Sequence, residues 1–371
     1  MRRLSDSLFQ DFPRRLENIL KSVRNVIEEK EELKRDFKWE ELPKPENCNV
    51  YGIDGSRSME KRCGAIVYAV SSVGVGEKIL ELHDISVIEP FKHVEKRIEM
   101  HMQTNEARIG LFSDGLALLD GSLSNLLFLI EKPRLTELYG IENEINLSDD
   151  KTIVTLQDFK NELDEWLEGM KRDIESGLTQ RKTLLSRDKE KMRIALEFVE
   201  YLHAYDRLLE KEVVSIAKNV YESRLLREND YRITDQAVVD YLVNESFGFE
   251  KSGYFKFSYE IKKGGWVREL AKILELKNLI KLKVHPCYIR FRDYGNIYLL
   301  ESNVEIEKVL PRVVGLEVDG YPFPLVHAHR YSEIKRREMK AIMIALMNAL
   351  ADRTEFRILL KHPRSNLERF Y

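Results

Sequence analysis

Asp54 and Asp120 each close an apolar run and are each followed by Gly-Ser. The stretches are Val50-Tyr51-Gly52-Ile53-Asp54-Gly55-Ser56-Arg57 and Leu116-Ala117-Leu118-Leu119-Asp120-Gly121-Ser122. Such a run reads as a strand whose end presents a carboxylate, with the glycine letting the backbone bend sharply. Two such ends, 66 residues apart, can aim two carboxylates at one point. Carboxylates brought together repel unless a cation lies between them. Oxygen-only ligands suit Mg²⁺ or Mn²⁺. The competing reading is that each Asp-Gly is merely a turn, since both residues are common in turns. The repetition of the pattern weighs against it.

Other residues can join this chemistry. A helix predicted from about Phe91 to Gly110 carries Glu95, Glu99 and Glu106, and spacing alone does not choose among them. Near the C-terminus, Gly320-Tyr321-Pro322-Phe323-Pro324-Leu325-Val326-His327-Ala328-His329 has two prolines that fix an extended approach to a helix. Residues i and i+2 share a face on a strand but not on a helix. One histidine of His327-Ala328-His329 is therefore predicted to face the core and the other the loop. No GxxxxGK[ST] phosphate loop occurs, so energy for any translocation has to come from a partner.

These residues must be positioned by a sizeable fold. The chain has 371 residues, 43% hydrophobic and 33% charged, enough for a large core and long solvated helices. A net charge of −3 excludes a global basic signature, so any nucleic-acid contact must use a local basic surface. The three cysteines, Cys48, Cys63 and Cys287, form no CxxC pair, which argues against zinc and a disulfide framework and fits a reducing, cytoplasmic setting. No apolar stretch is long enough to span a membrane, and Met1-Arg2-Arg3-Leu4-Ser5-Asp6 lacks the apolar core of a signal peptide.

Along the chain, residues 8–37 have the apolar spacing of an amphipathic helix, which packs on the core or on another subunit; Phe9 and Phe12 are candidate partner contacts. Glu28-Glu29-Lys30-Glu31-Glu32 is a solvated charge run, and Pro43 and Pro45 end this N-terminal segment at about residue 45. Cys48 to Ile53, Ala65 to Val75 and Lys78 to Ile88 read as an antiparallel meander. The Glu106 helix, the Asp120 strand and a helix from about Ser124 follow. Residues 135–211 read as a helical excursion inserted into the core, with Arg181-Lys182 and Arg187 to Lys191 strongly polar. Val213 to Ala217 returns to strand grammar and ends at Lys218, and Thr234 or Asp235 caps a short helix after Ile233. Tyr254 to Ile261, Cys287 to Asp293 and Asn296 to Glu301 read as strands, the last two as a hairpin turning at Tyr294-Gly295-Asn296. Asn303 to Val314 is predicted helical despite Pro311. One long helix is predicted from about Ala328 to Ala351, with Arg330, Lys335, Arg336, Arg337 and Lys340 in its first turns.

Four stretches in order carry a family resemblance. Tyr51-Gly52-Ile53-Asp54-Gly55-Ser56, Leu118-Leu119-Asp120-Gly121-Ser122-Leu123, Ser215-Ile216-Ala217-Lys218 and Gly320-Tyr321-Pro322-Phe323-Pro324-Leu325 through Ala328-His329 resemble the successive motifs of the NurA nuclease family. The resemblance spans roughly residues 48–335. It implies an α/β, ribonuclease H-like (Piwi-like) mixed β-sheet core with flanking helices, filling residues 46–371 around the helical insertion. It implies Mn²⁺-dependent DNA cleavage, with Mg²⁺ a weaker substitute: a 5′-to-3′ exonuclease and single-stranded DNA endonuclease in double-strand break end resection. It further implies single- and double-stranded DNA as substrates, a HerA-type hexameric ATPase as partner, and a homodimer.

Residue by residue, Asp54 and Asp120 match the family's metal-binding aspartates, and Glu106, just ahead of the second Asp-Gly-Ser, matches its glutamate. Lys218 matches a basic residue after the central strand. Tyr321 and His329 match the C-terminal pair, with His329 rather than His327 the motif histidine and a further metal ligand. Asp235 sits where the family often places another acid. The alternative is a non-catalytic DNA-binding or scaffold subunit on the same fold; the complete set of carboxylates argues against it.

Overall fold

The computed structural model describes residues 4–29, 35–90, 94–126, 147–175, 190–218, 225, 234–258, 265–350 and 352–361. The first turn expected from Phe91, the Lys30-Glu31-Glu32 run, most of the helix expected from Ser124, the Arg181-Lys182 and Arg187 to Lys189 stretches, Ile233, and the strand end at Ile261 lie outside the described residues. So do the side chains of Phe9 and Phe12.

In chain order the elements are α1 (Leu4–Glu29), β1 (Val50–Lys61), β2 (Ile66–Val75), β3 (Ile79–Ile88), α2 (Val94–Phe112), β4 (Leu116–Asp120), α3 (Leu123–Leu126), α4 (Asp150–Glu175), α5 (Glu190–Leu208) and β5 (Val213–Ala217). There follow α6 (Asp235–Phe247), β6 (Gly253–Lys256), α7 (Gly265–Ile273), α8 (Lys277–Lys281), β7 (His285–Arg290), β8 (Tyr298–Ser302) and α9 (Ile306–Val314). The last are β9 (Glu317–Val318), β10 (Tyr321–Pro322), α10 (Phe323–Ser332), α11 (Arg336–Ala349) and α12 (Thr354–Leu359). They fall into two compact units: Met1–Asn47 with Val214–Glu260 and Val284–Pro322, and Cys48–Val213 with Ile261–Lys283 and Phe323–Tyr371.

The second unit holds the meander and both Asp-Gly-Ser stretches. Its strands lie in the order β3-β2-β1-β4. β1 pairs antiparallel with β2 from Gly52↔Val75 to Lys61↔Ile66, and parallel with β4 from Val50↔Leu116 to Ile53↔Leu119. This antiparallel meander, crossover helix and parallel fourth strand is a ribonuclease H-like core. β2 is apolar on both faces because both are covered. Val67 and Ala69 pack on Met339 and Met343 of α11, while Ile66, Tyr68 and Val70 pack on Val94 and Ile98 of α2. Each such large apolar side chain contributes about 1.5–3 kcal/mol when fully buried. The edge strand β3 alternates buried and exposed residues, as a strand covered on one face does.

β1 departs from expectation. It does not end at Asp54 but runs on through Gly55-Ser56-Arg57 to Lys61, because β2 supplies a backbone partner for every residue from Gly52 onward. Asp54 is therefore within a strand, and the first Asp-Gly-Ser is not a turn. The second is: Gly121, just past β4, has φ 119°.

The helical excursion packs on α2 through buried ion pairs. Arg97 Nε and Nη2 donate to the two Glu197 oxygens, each at 2.7 Å, and Arg108 lies 2.8 Å from Glu200. Tyr68 Oη and His101 Nδ1 are 2.8 Å apart, and the Arg108 guanidinium sits 4.2 Å from the centre of the Trp166 ring. α4 lays Leu156, Phe159, Leu163, Leu167 and Met170 into the interior.

The predicted long C-terminal helix is two helices. α10 begins earlier than expected, at Phe323, and α11 starts only at Arg336. The corner between them is held by side chains: Ile334 N–H donates to Ser56 Oγ at 3.0 Å, and Lys335 N–H donates to Glu338 Oε2 at 2.8 Å. No proline or glycine stands at the break, so nothing local announced it.

The first unit has strands in the order β5-β8-β7-β6, all antiparallel, with the expected β7–β8 hairpin turning through Tyr294 at φ 62°. Thr234 caps α6, its hydroxyl accepting from Ala237 N–H at 3.3 Å. Val23 and Ile27 of α1 pack on Val238 and Leu242 of α6, while Leu16, Ile19 and Leu20 are exposed. Pro311 is accommodated inside α9 as expected.

Candidate active site

The parallel register carries Asp54 and Asp120 to the same level. The offset of 66 residues that separates them in the sequence is the offset of every β1–β4 pair from Val50↔Leu116 to Ile53↔Leu119. Side chains at equivalent positions of neighbouring strands share a face. α10 crosses that same face. Gly52, two residues before Asp54, permits it: a Cβ there would lie 2.4 Å from Pro324 C and 2.5 Å from Leu325 N. His329 on α10 then reaches Asp54, with Nδ1 2.7 Å from Oδ2.

Asp54, Asp120 and His329 each offer a ligand atom, and these atoms lie within 4.8 Å of one another. Two carboxylate oxygens and an imidazole nitrogen form a donor set suited to a divalent first-row cation such as Mn²⁺, and poorer for Mg²⁺. Asp54 Oδ1 is further fixed by the Gly55 N–H at 2.8 Å.

Glu106 comes from α2. Of the three glutamates spacing left open, Glu95 pairs with Lys61 at 3.3 Å and Glu99 with Lys96 at 3.1 Å, both on the surface side of α2. Glu106 alone of the three is buried, at 4% exposure. Burial pushes its carboxyl well above the usual range, and the charges of Asp54, Asp120 and Glu99 push the same way. Asp54 is also raised, first by burial and then by Asp120, against hydrogen bonds from His329 and Gly55. A cation held between these acids would offset their mutual repulsion. Glu106 lies within electrostatic reach of both aspartates, although the three-residue donor cluster does not include it.

Tyr205 of α5 was not legible in the sequence. Its fully buried hydroxyl is pushed well above its ordinary range by burial and by the Glu106 charge. Its only sequence signal was its place in the apolar stripe of α5.

The histidine pair differs from expectation, since neither ring faces the core. Ala328 is buried, His329 is 66% exposed at its side chain, and His327 packs in tilted contact with Phe323 at 4.2 Å and Tyr331 at 5.8 Å. On a helix that begins at Phe323, Leu325 and Ala328 fall on the face turned to β1, and both histidines flank it.

Asp54, Glu106, Asp120 and His329 all belong to the second unit, whereas Lys218, Tyr321 and Asp235 belong to the first. Lys218 Nζ stands 5.0 Å from the centre of the Tyr321 ring, which also packs on Tyr298 at 5.1 Å. Asp235 is engaged internally: its Oδ2 accepts from Leu225 N–H at 2.8 Å and from Tyr288 Oη at 3.0 Å.

Known proteins share this framework. A DNA double-strand break repair nuclease NurA of Pyrococcus furiosus is 26% identical over 448 residues, covering 95% of this chain and 96% of the relative. Its namesake from Saccharolobus solfataricus is 25% identical over 358 residues, covering 91% and 94%. A crystal structure of NurA bound to dAMP and manganese superposes with a TM-score of 0.75 at 24% identity, over 92% of this chain and 97% of that one. That likeness is one of fold. Residues 48–334 match the NurA domain, a span that runs from the start of the meander through both Asp-Gly-Ser stretches to His329, and on that match the chain belongs to the NurA family.

Proposed function

We propose that this protein is a metal-dependent DNA nuclease that hydrolyses phosphodiester bonds at the Asp54–Asp120–His329 cluster, with Glu106 as a further acid of the centre. The observation that carries the reading is the convergence of two carboxylates and an imidazole within 4.8 Å at the level where β1 and β4 pair. The naming of its relatives as double-strand break repair nucleases, and the manganese and dAMP bound by a NurA of the same fold, support DNA as substrate and Mn²⁺ as cofactor.

In this reading Asp54, Asp120 and His329 would hold Mn²⁺, and Glu106 would add negative charge to the centre. A bound ion would lower the pKa of a coordinated water and offset charge growing on the phosphate. The chain's own residues do the rest. Gly55 N–H donates to Asp54 Oδ1 and so restrains the carboxylate. His329, exposed and anchored through Nδ1, is placed to bind the ion or pass a proton to solvent. Lys218 offers a point charge to a phosphate, and Tyr321 offers a ring to a base or a hydroxyl to a phosphate. The exposed Arg330, Lys335, Arg336, Arg337 and Lys340 position the DNA backbone without reading sequence.

The finer reading is a 5′-to-3′ exonuclease that also nicks single-stranded DNA. It acts as a cytoplasmic homodimer with a HerA-type hexameric ATPase in end resection. Among the described residues, no helix is long and apolar enough to cross a membrane.

The test is degradation of end-labelled single- and double-stranded DNA in Mn²⁺, Mg²⁺ or EDTA, with the wild type and Asp54→Ala. Loss of label in Mn²⁺ from the wild type alone supports the reading. No cleavage in any metal, alone or with a translocase, overturns it.

A further inference from the structure

Gly55 follows Asp54 in a motif that reads as a turn, yet it sits inside β1 and has no positive φ. Conformational freedom therefore does not explain the glycine. Its surroundings do. Along β1, Gly52, Asp54 and Ser56 face α10 and the corner after it, through Pro324, His329 and Ile334. Gly55 faces the other way, toward α2. A Cβ on Gly55 would lie 2.4 Å from Glu106 Oε1 and 2.7 Å from Met102 Cγ.

We infer that Gly55 is a positioning residue for the metal centre: its missing side chain is the gap through which Glu106, carried on the opposite face of the sheet from His329, brings its carboxyl against β1 beside Asp54. This rests on the assignment of Glu106 to the site. The gap is specific because neither wall can move cheaply. β1 is paired at Gly55↔Ser72 and, one step before Asp54, at Ile53↔Leu119. α2 is locked to α5 by the buried Arg97–Glu197 pair. What can move is the end of the Glu106 side chain, with a smaller adjustment of the flexible Met102 side chain. Adding one methyl group at residue 55 therefore expels the carboxyl and leaves the framework standing. Gly52 is the contrasting case, since a Cβ there meets backbone atoms of α10.

The experiment compares the full chain as wild type, Gly55→Ala, Glu106→Ala and Gly55→Ala/Glu106→Ala. Mn²⁺ binding is followed by titration calorimetry with Mn²⁺ alone, cleavage with end-labelled DNA, and melting in EDTA. Gly55→Ala is expected to melt close to wild type, yet to lose Mn²⁺ affinity and cleavage to the same extent as Glu106→Ala, roughly 10–100-fold. The double variant is expected to match Glu106→Ala in Mn²⁺ affinity and cleavage, because the carboxyl is already gone and the remaining approach to Met102 Cγ is taken up within that flexible side chain. Wild-type binding and cleavage by Gly55→Ala, with Glu106→Ala impaired, overturns the inference and leaves the site intact. An unfolded Gly55→Ala, or a double variant clearly worse than Glu106→Ala, also overturns it. Wild-type behaviour of Glu106→Ala removes Glu106 from the site and the inference with it.

Discussion

His329 Nδ1 and Asp54 Oδ2 lie 2.7 Å apart, although 275 residues separate them in the chain. The contact joins the first strand of the core to a helix near the C-terminus, and it exists because Gly52 lets α10 lie against β1. The imidazole is 66% exposed and the carboxylate 11%, so the buried partner is oriented by the wet one.

His329→Ala should therefore separate stability from function. An exposed side chain with one hydrogen bond contributes about 1 kcal/mol or less to folding. Melting in EDTA should change little, while Mn²⁺ affinity and cleavage fall roughly 10–100-fold. A large drop in melting temperature with metal affinity preserved would assign His329 to the fold alone.

Asp54→Asn should do the reverse of an ordinary core mutation. Burial and the Asp120 charge both raise the Asp54 carboxyl, so the metal-free site is held under repulsion. Removing one charge relieves it. The variant should melt at or above wild type in EDTA, lose cleavage, and gain little stability from Mn²⁺. Differential scanning fluorimetry with and without Mn²⁺ reads all but the cleavage.

Gly52→Ala should damage both. The new methyl group meets backbone at 2.4 Å and 2.5 Å, so α10 must move as a body. Overpacking of this kind costs about 1–3 kcal/mol. Urea denaturation should show that loss, and cleavage should fall because His329 moves with its helix.

Acid stability should depend on Glu197. Burial alone would raise its carboxyl, but the His101 charge and the two Arg97 hydrogen bonds outweigh it and bring the pKa from 4.5 to about 2. A depressed carboxyl contributes stability that is fully present above pH 4.5 and is lost as pH falls toward 2, on the order of 3 kcal/mol in total. Arg97→Met, which leaves the Glu197 charge buried without its partner, should cost about 3–5 kcal/mol near neutrality. It should also flatten the pH dependence between pH 2 and 4.5. Chemical denaturation at several pH values measures both; an unchanged acid limb would place the sensitivity elsewhere.

Much of the unit that holds the candidate site was legible from local pattern. The meander, the α2 crossover and the two aspartates follow from apolar runs and their terminal acids, because strand period and strand-end chemistry are local properties. Glu106 was not legible from spacing. Its distinction from Glu95 and Glu99 is burial against Gly55 of β1, which depends on residues about 50 positions earlier. The end of β1 was misjudged because turn residues express a preference that a complete β2 partner strand overrides. The break between α10 and α11 was hidden because it is made by Ser56 and Glu338 rather than by proline or glycine. The facing of His327 and His329 was misjudged because the helix begins four residues before the first of them.

The shared register of β1 and β4 also has a consequence for how such a chain can change length. Both acids are placed by a short ladder, Val50↔Leu116 to Ile53↔Leu119, and not by the path between them. Insertions and deletions in the turn between β2 and β3, after the Gly76 that lies on the Tyr51 ring, leave that ladder unchanged. A single residue gained between Val50 and Asp54 is not, since it swings Asp54 to the face that Gly55 now occupies. Tolerance to drift is thus sharply divided within one meander: its turn is free to vary in length, and the four residues ahead of each aspartate are not.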